Sequence, residues 1–175
     1  HIGLDDSADD FVIGLGSSLG TTSHIVIDEA GHVTKPLQPA FRVTKGNDAN
    51  VTGDGTNYTV PFSGEAFDQN ADYNTGTYTF TAPITDKYYL FLINSIENPT
   101  NQNRFVSKIN TSNRIYGVET SNTETGNNMF MLSHSILADM DANDTCIFQL
   151  MVNIEGGSGN ATIGSRDDSN AGGFL

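Results

Sequence analysis

The sequence predicts an all-β fold, a jelly-roll β-sandwich of short strands carried behind a small N-terminal β-repeat. Three observations predict it. No segment after residue 36 keeps a helical period. Eight or more short runs, alternating or apolar, follow one another there, each bounded by Asn, Thr, Ser, Asp or Gly turns. The apolar share is only 37% of 175 residues, which suits thin sheets with long loops, or a core completed by a second copy of the chain.

Charge narrows the function classes. Eight basic residues stand against 21 acidic ones, a formal net charge of -13. Such a surface repels nucleic acid and anionic membrane, and no basic patch reverses it. Charged residues are 17% of the chain, too few for a charge-driven disordered polymer. Cys146 is the sole cysteine, so an intrachain disulfide is impossible. Its neighbours Ile147 and Phe148 read as a buried strand, which makes it a packed thiol. No leader peptide or membrane-spanning run is visible. The pattern is already under way at His1, as expected of the C-terminal piece of a longer chain.

The N-terminal residues repeat. Ile2-Gly3-Leu4 returns as Ile13-Gly14-Leu15, and Ile25-Val26-Ile27 follows. Turn-rich segments separate them, which predicts stacked or intertwined short strands, as in a fibre shaft, over residues 1–34. Strands this short cannot bury an apolar face alone. Ile25 to Asp28, then Glu29-Ala30-Gly31, then His32-Val33 predicts a strand, a tight turn and a returning strand. Pro36 and Pro39 stiffen residues 35–39 into a linker. The head then occupies 40–175.

Within the head, Thr77 to Thr81 alternates and predicts a half-buried strand. Lys87 to Ile96 predicts a central strand buried on both faces. Arg104 to Asn110, Arg114 to Glu119, Met129 to Leu137 and Thr145 to Ile154 predict the next four. Asn98-Pro99-Thr100-Asn101, Thr111-Ser112-Asn113 and Glu124-Thr125-Gly126-Asn127 are turn chemistry.

These residues resemble a family. Val60-Pro61-Phe62, Phe67-Asp68, Tyr73, Thr75-Gly76, Tyr78-Thr79-Phe80-Thr81-Ala82-Pro83 and Lys87-Tyr88 look like the signature of the complement component one q globular head, of the tumour-necrosis-factor superfamily of trimeric jelly rolls. Pro39-Ala40-Phe41 resembles its opening strand, Met140 to Thr145 its late Asp-containing turn, and Ala171 to Leu175 its closing strand. The similarity runs over about residues 37 to 175. Asp86 and Asn143 stand at turns where the family prefers Gly, and Asp and Asn tolerate left-handed turns better than most residues. The resemblance implies a ten-stranded sandwich and a homotrimer. It implies that Phe41, Phe62, Phe67, Phe80, Tyr88, Phe91 and Phe174 form the scaffold of core and trimer. Asp5 to Asp10 and Lys35 to Phe41 are similar to the ends of tail-fibre proteins of marine phages.

No arrangement argues for catalysis. Ser133-His134-Ser135 lies in a predicted strand, with no nucleophile elbow before a helix. Asp139/Asp141 and Asp167/Asp168 are carboxylate pairs in turn-like segments, with nothing nearby to raise one pKa. Glu155 to Asn160 is glycine-rich but lacks the Lys and helix of a phosphate loop. Asp5, Asp6, Asp9 and Asp10 could offer hard oxygens to calcium, yet lack the Gly and Glu of a helical calcium loop; otherwise they form an exposed acidic turn.

The expectation is therefore a non-enzymatic, extracellular receptor-binding tip of a phage tail fibre, on the virion, that attaches to a host-surface glycan or protein. Its contact loops would carry Asn98, Asn101, Asn103, Asn122, Asn127 and Asn160. The alternatives are a trimerisation cap that folds a fibre, or a secreted complement-type ligand.

Overall fold

A computed structural model describes residues 1–5, 8–18, 21–45, 48–97, 102–121, 129–154, 161–164 and 169–175, with the backbone alone at 48–50, 102 and 103. The chain divides into two compact units, His1–Pro39 and Ala40–Leu175. Strands account for all the regular structure among the described residues.

The first unit is a four-stranded antiparallel sheet in the order β1 (Ile2–Asp5), β2 (Asp10–Leu15), β3 (Thr22–Ile27), β4 (Val33–Thr34). The repeat expected to stack or intertwine instead folds back on itself. Ile2 of the first copy lies beside Ile13 of the second, running the opposite way. The connections explain this. A hairpin needs few residues, whereas a parallel crossover needs a dozen or more, and only four residues separate β1 from β2. The predicted turn after Ile27 is present. The Asp28 carboxylate accepts hydrogen bonds from the Ala30 and His32 backbone amides and from His32 Nδ1, and Gly31 adopts φ +86°.

The second unit is the sandwich. Its larger sheet runs β6 (Asp48–Thr52), β16 (Ala161–Ile163), β11 (Asp86–Glu97), β17 (Ser169–Phe174), β5 (Ala40–Lys45), β8 (Gly64–Asp68), with β14 (Met129–Met140) on the free side of β11. Its smaller sheet runs β13 (Ile115–Thr120), β12 (Gln102–Thr111), β15 (Thr145–Ile154), β10 (Thr79–Thr81), β9 (Tyr73–Asn74). Just past β7 (Asp54–Thr59), the Val60 amide donates to the Phe148 carbonyl of β15. The strands outnumber the ten expected because β16 and β17 pair with successive stretches of one edge of β11, and β6 and β5 do the same one position further out.

Alternation along the strands builds the core. Tyr88, Leu90, Leu92 and Ile96 point inward from β11 and meet Phe105, Ile109, Phe148 and Leu150 of the facing sheet. Phe41 stacks on Phe80 at 4.7 Å and on Tyr73 at 5.3 Å, and Phe62 meets Phe148 edge-on. The Tyr88 hydroxyl donates to the Ile84 carbonyl at 2.8 Å. The Asn94 amide crosses between sheets to donate to Ser107 Oγ. Cys146 is buried, which pushes its thiol pKa well up.

Three expectations need correction. Thr77 and Tyr78 belong to a turn, because the Asn74 side-chain oxygen captures the Gly76 and Thr77 amides and Tyr78 turns left-handed at φ +58°. Strand β11 is buried on both faces only near Ser95; Tyr89, Phe91 and Ile93 point away from the core and remain partly open. For the same reason Phe67, Phe91 and Phe174 do not fill the sandwich core, whereas Phe41, Phe62, Phe80 and Tyr88 do.

Candidate functional site

The outward face of the larger sheet is the first candidate surface, and register assembles it. Ala40, Phe174, Tyr89 and Leu137 form one row across β5, β17, β11 and β14. Phe67, Arg42, Gly172, Phe91 and Ser135 form the next, and Thr44, Asn170, Ile93 and Ser133 the third. Further along β14, Met131 and Met129 continue the same face. Phe67 and Phe174 are half exposed, and Leu137 is 64% exposed. Tyr89 and Phe174 pack ring to ring at 5.1 Å. The result is a broad, mostly apolar face in which Arg42 and the Lys87–Asp139 pair supply charge near the margin. Apolar patches of this kind on one chain mark contact with another.

Two glycines shape this face. A Cβ on Gly172 would sit 2.5 Å from the Phe41 carbonyl oxygen and 2.7 Å from the Phe91 ring. A Cβ on Gly173 would meet a Leu90 methyl carbon at 2.5 Å and the Tyr89 carbonyl oxygen at 2.9 Å. Bare backbone at both positions lets Phe91 lie over β17 from outside while Leu90 closes on it from inside. The sequence carries this only as the Ala171 to Leu175 segment; steric need at each glycine becomes visible when the neighbours are placed.

The second candidate surface is one end of the sandwich. Glu97 lies opposite Met129, Gln102 opposite Ile154, and Phe105 opposite Thr120. The chain therefore enters and leaves the β11–β12, β13–β14 and β15–β16 connections at the same end. Asn98, Asn101, Asn122, Asn127 and Asn160, expected contacts, lie in those connections and outside the described residues. Asn103 has its backbone in β12, with its side chain outside the description. Ala40, where the N-terminal residues join the head, sits at the other end, in the row of Phe174 and Tyr89. Eight residues of β11 separate Tyr89 from Glu97, roughly 26 Å along an extended strand.

That other end is closed by hydrogen bonds. The Asp144 carboxylate accepts from the Asp141 amide, from Ser112 Oγ and from the Asn113 side-chain amide, and its pKa is held below the ordinary carboxylate value by these bonds, the Asp141 amide first. Asn143 adopts φ +74°, the left-handed turn for which Asn is suited. Across the turn the Ala82 amide donates to the Asp144 carbonyl, and the Asn143 amide donates to the Ala82 carbonyl.

The strand pattern separates the Ser133-His134-Ser135 triplet. Ser133 and Ser135 lie on the outward face, while His134 alternates to the inner side towards Tyr116 of β13. Burial lowers the pKa of His134, offset in part by the Tyr116 backbone. A serine and a histidine on opposite faces cannot share a proton, so no dyad forms here. Asp139 lies in β14 rather than in a turn and faces Lys87 at 3.8 Å; Asp167 and Asp168 fall outside the described residues. At the N-terminal cluster, Asp5 and Asp10 are register partners and Asp9 is left-handed, while Asp6 falls outside the described residues. Among the described residues, no three His, Cys, Asp or Glu side chains come together in a way that could hold a metal ion.

The head has a jelly-roll fold. It is similar to the globular domain of zebrafish complement 1qA protein, with a TM-score of 0.60 and 17% identity over 79% of this chain and 96% of that one. It is also similar to murine APRIL at pH 5.0 and at pH 8.0, each with a TM-score of 0.54 over 78% of this chain and 98% of that one, at 8% and 10% identity. No sequence-family profile matches the chain, and no curated protein does. At these identities the likeness concerns the fold. Among the described residues no helix is long and apolar enough to cross a membrane.

Proposed function

We propose that this chain is a non-enzymatic binding head that works as a homotrimer, the receptor-binding tip of a phage tail fibre that attaches to a glycan or protein on the host surface. One observation carries the reading: three connections leave the sandwich at the end opposite Ala40, where the N-terminal residues join. An attachment device needs that polarity, with the tether at one end and the contact loops at the other. The outward apolar face supports the trimer, since Phe67, Phe91 and Phe174 would then be buried between copies. Three weak sites on one trimer act together and reach high avidity. The likeness of Asp5 to Asp10 and Lys35 to Phe41 to tail-fibre ends supports the viral setting, and the net charge of -13 disfavours nucleic acid as a partner.

The likeness to complement 1qA protein also favours a second reading, a secreted ligand module of the complement type. One experiment separates the two. Purified full chain is tested for binding to bacterial cells and for blocking phage adsorption, beside a variant with Asn98, Asn101, Asn122, Asn127 and Asn160 changed to Ala. The tail-fibre reading expects binding and blocking by the parent, and loss of both with unchanged native mass in the variant. Parent protein that neither binds nor blocks overturns it. Blocking that survives in the variant places the contacts elsewhere on the head.

A further inference from the structure

The N-terminal sheet has its own unpartnered face. Ile2, Ile13 and Ile25 are register partners across β1, β2 and β3, and Leu4, Phe11 and Ile27 form the adjoining row. Leu4 is 71% exposed and Ile2 69%. The opposite face carries Gly3, Val12, Val26 and Thr34. Val12 on that opposite face is buried, whereas the face of Ile2 and Leu4 has no covering layer among the described residues, and an apolar sheet face needs one.

We infer that this face packs against the same face of the sister copies, forming a second self-association site that rests on the trimeric reading of the head. Size argues for a sister copy over a free partner. Four strands about 4.8 Å apart, of 4, 6, 6 and 2 residues, present roughly 300 Å² of flat face, against about 800 Å² per partner in a stable interface. So small a face holds only when its partners are already confined. The chain supplies that confinement. Five residues, 35–39, join β4 to β5, and β5 opens at Ala40 in the apolar row of the head. Five residues span at most about 17 Å, so three associated heads keep three N-terminal sheets at an effective concentration in the millimolar range. The apolar rows bear no charge, so like-charge repulsion between copies is limited to the Asp-rich turns around them.

Thiol labelling in the full chain tests this. Cys146 is buried and stays silent in the folded protein. Leu4→Cys places a thiol on the apolar face, and Thr34→Cys places one on the opposite, exposed side. Native mass is measured on the same samples. The expected result is a trimer in which Leu4→Cys reacts with maleimide at least about tenfold more slowly than Thr34→Cys. Adding Leu137→Asp, which disrupts the head face, should bring the two rates together. A trimer in which both thiols react equally fast overturns this inference and leaves the trimeric head intact. A monomeric parent overturns the trimeric head and this inference with it.

Discussion

Leu137 offers the sharpest test of the outward face as a contact between copies. In one chain it is 64% exposed, at the open end of the row that runs through Tyr89 and Phe174. For an isolated head, truncating it removes little that is buried, and the unfolding free energy should stay within about 0.5 kcal/mol. In a trimer the exposed part of the side chain is what the neighbour covers. Full burial of a leucine contributes about 1.5–3 kcal/mol, so the uncovered 64% contributes about 1–2 kcal/mol per copy and about 3–6 kcal/mol per trimer. At about 1.4 kcal/mol per factor of ten, Leu137→Ala should weaken trimer assembly about 10²–10⁴-fold. Leu137→Asp should go further, since burying an unpaired carboxylate costs several kcal/mol per copy. The assay is sedimentation equilibrium over a wide concentration range, with circular dichroism to follow the fold. Leu137→Asp should be a folded monomer where the parent is a trimer. The reasoning is refuted if Leu137→Asp keeps the parent's mass at every concentration.

Further outcomes follow from the interior. Gly172→Ala should destabilise the head by about 1–3 kcal/mol in a denaturant titration, because the new methyl meets the Phe41 carbonyl and the Phe91 ring at once; an unchanged midpoint would show that β17 can shift freely. Asn94→Leu should cost about 1–3 kcal/mol by leaving the Ser107 hydroxyl buried without its partner, and adding Ser107→Ala should recover most of it; equal loss in both variants would contradict that account. Burial lowers the His134 pKa, so the unfolded chain binds the proton more tightly than the folded one. Its contribution to stability is therefore complete above the unfolded value of about 6.5 and falls as pH drops below it, levelling off under the folded pKa. His134→Leu should remove that slope, and a thermal midpoint whose pH dependence matches the parent's between about pH 7 and pH 5 would exclude the effect.

Legibility differed by residue. Strands such as β12, β14 and β15 could be placed because β-branched and aromatic runs end in Asn, Thr and Gly turns, signals carried by adjacent residues. Strand β10 was misplaced at its start because alternation over Thr77 to Thr81 is also compatible with a turn, and the deciding bond, from Asn74, comes from outside that run. The sequence offers the seven aromatic scaffold residues as one set, and their allotment to two different surfaces needs the sheet register.

The sequence by itself determined the all-β class, the jelly-roll pattern of short strands and the packed thiol of Cys146. These depend on residue type and local period, and a chain carries both without folding. Only the tertiary structure decided that the N-terminal repeat runs antiparallel, that Phe67, Phe91 and Phe174 face outward, and that three connections open at the end away from Ala40. Each of these is a relation between strands rather than within one, and a one-residue change of register would have turned every side chain to the other face.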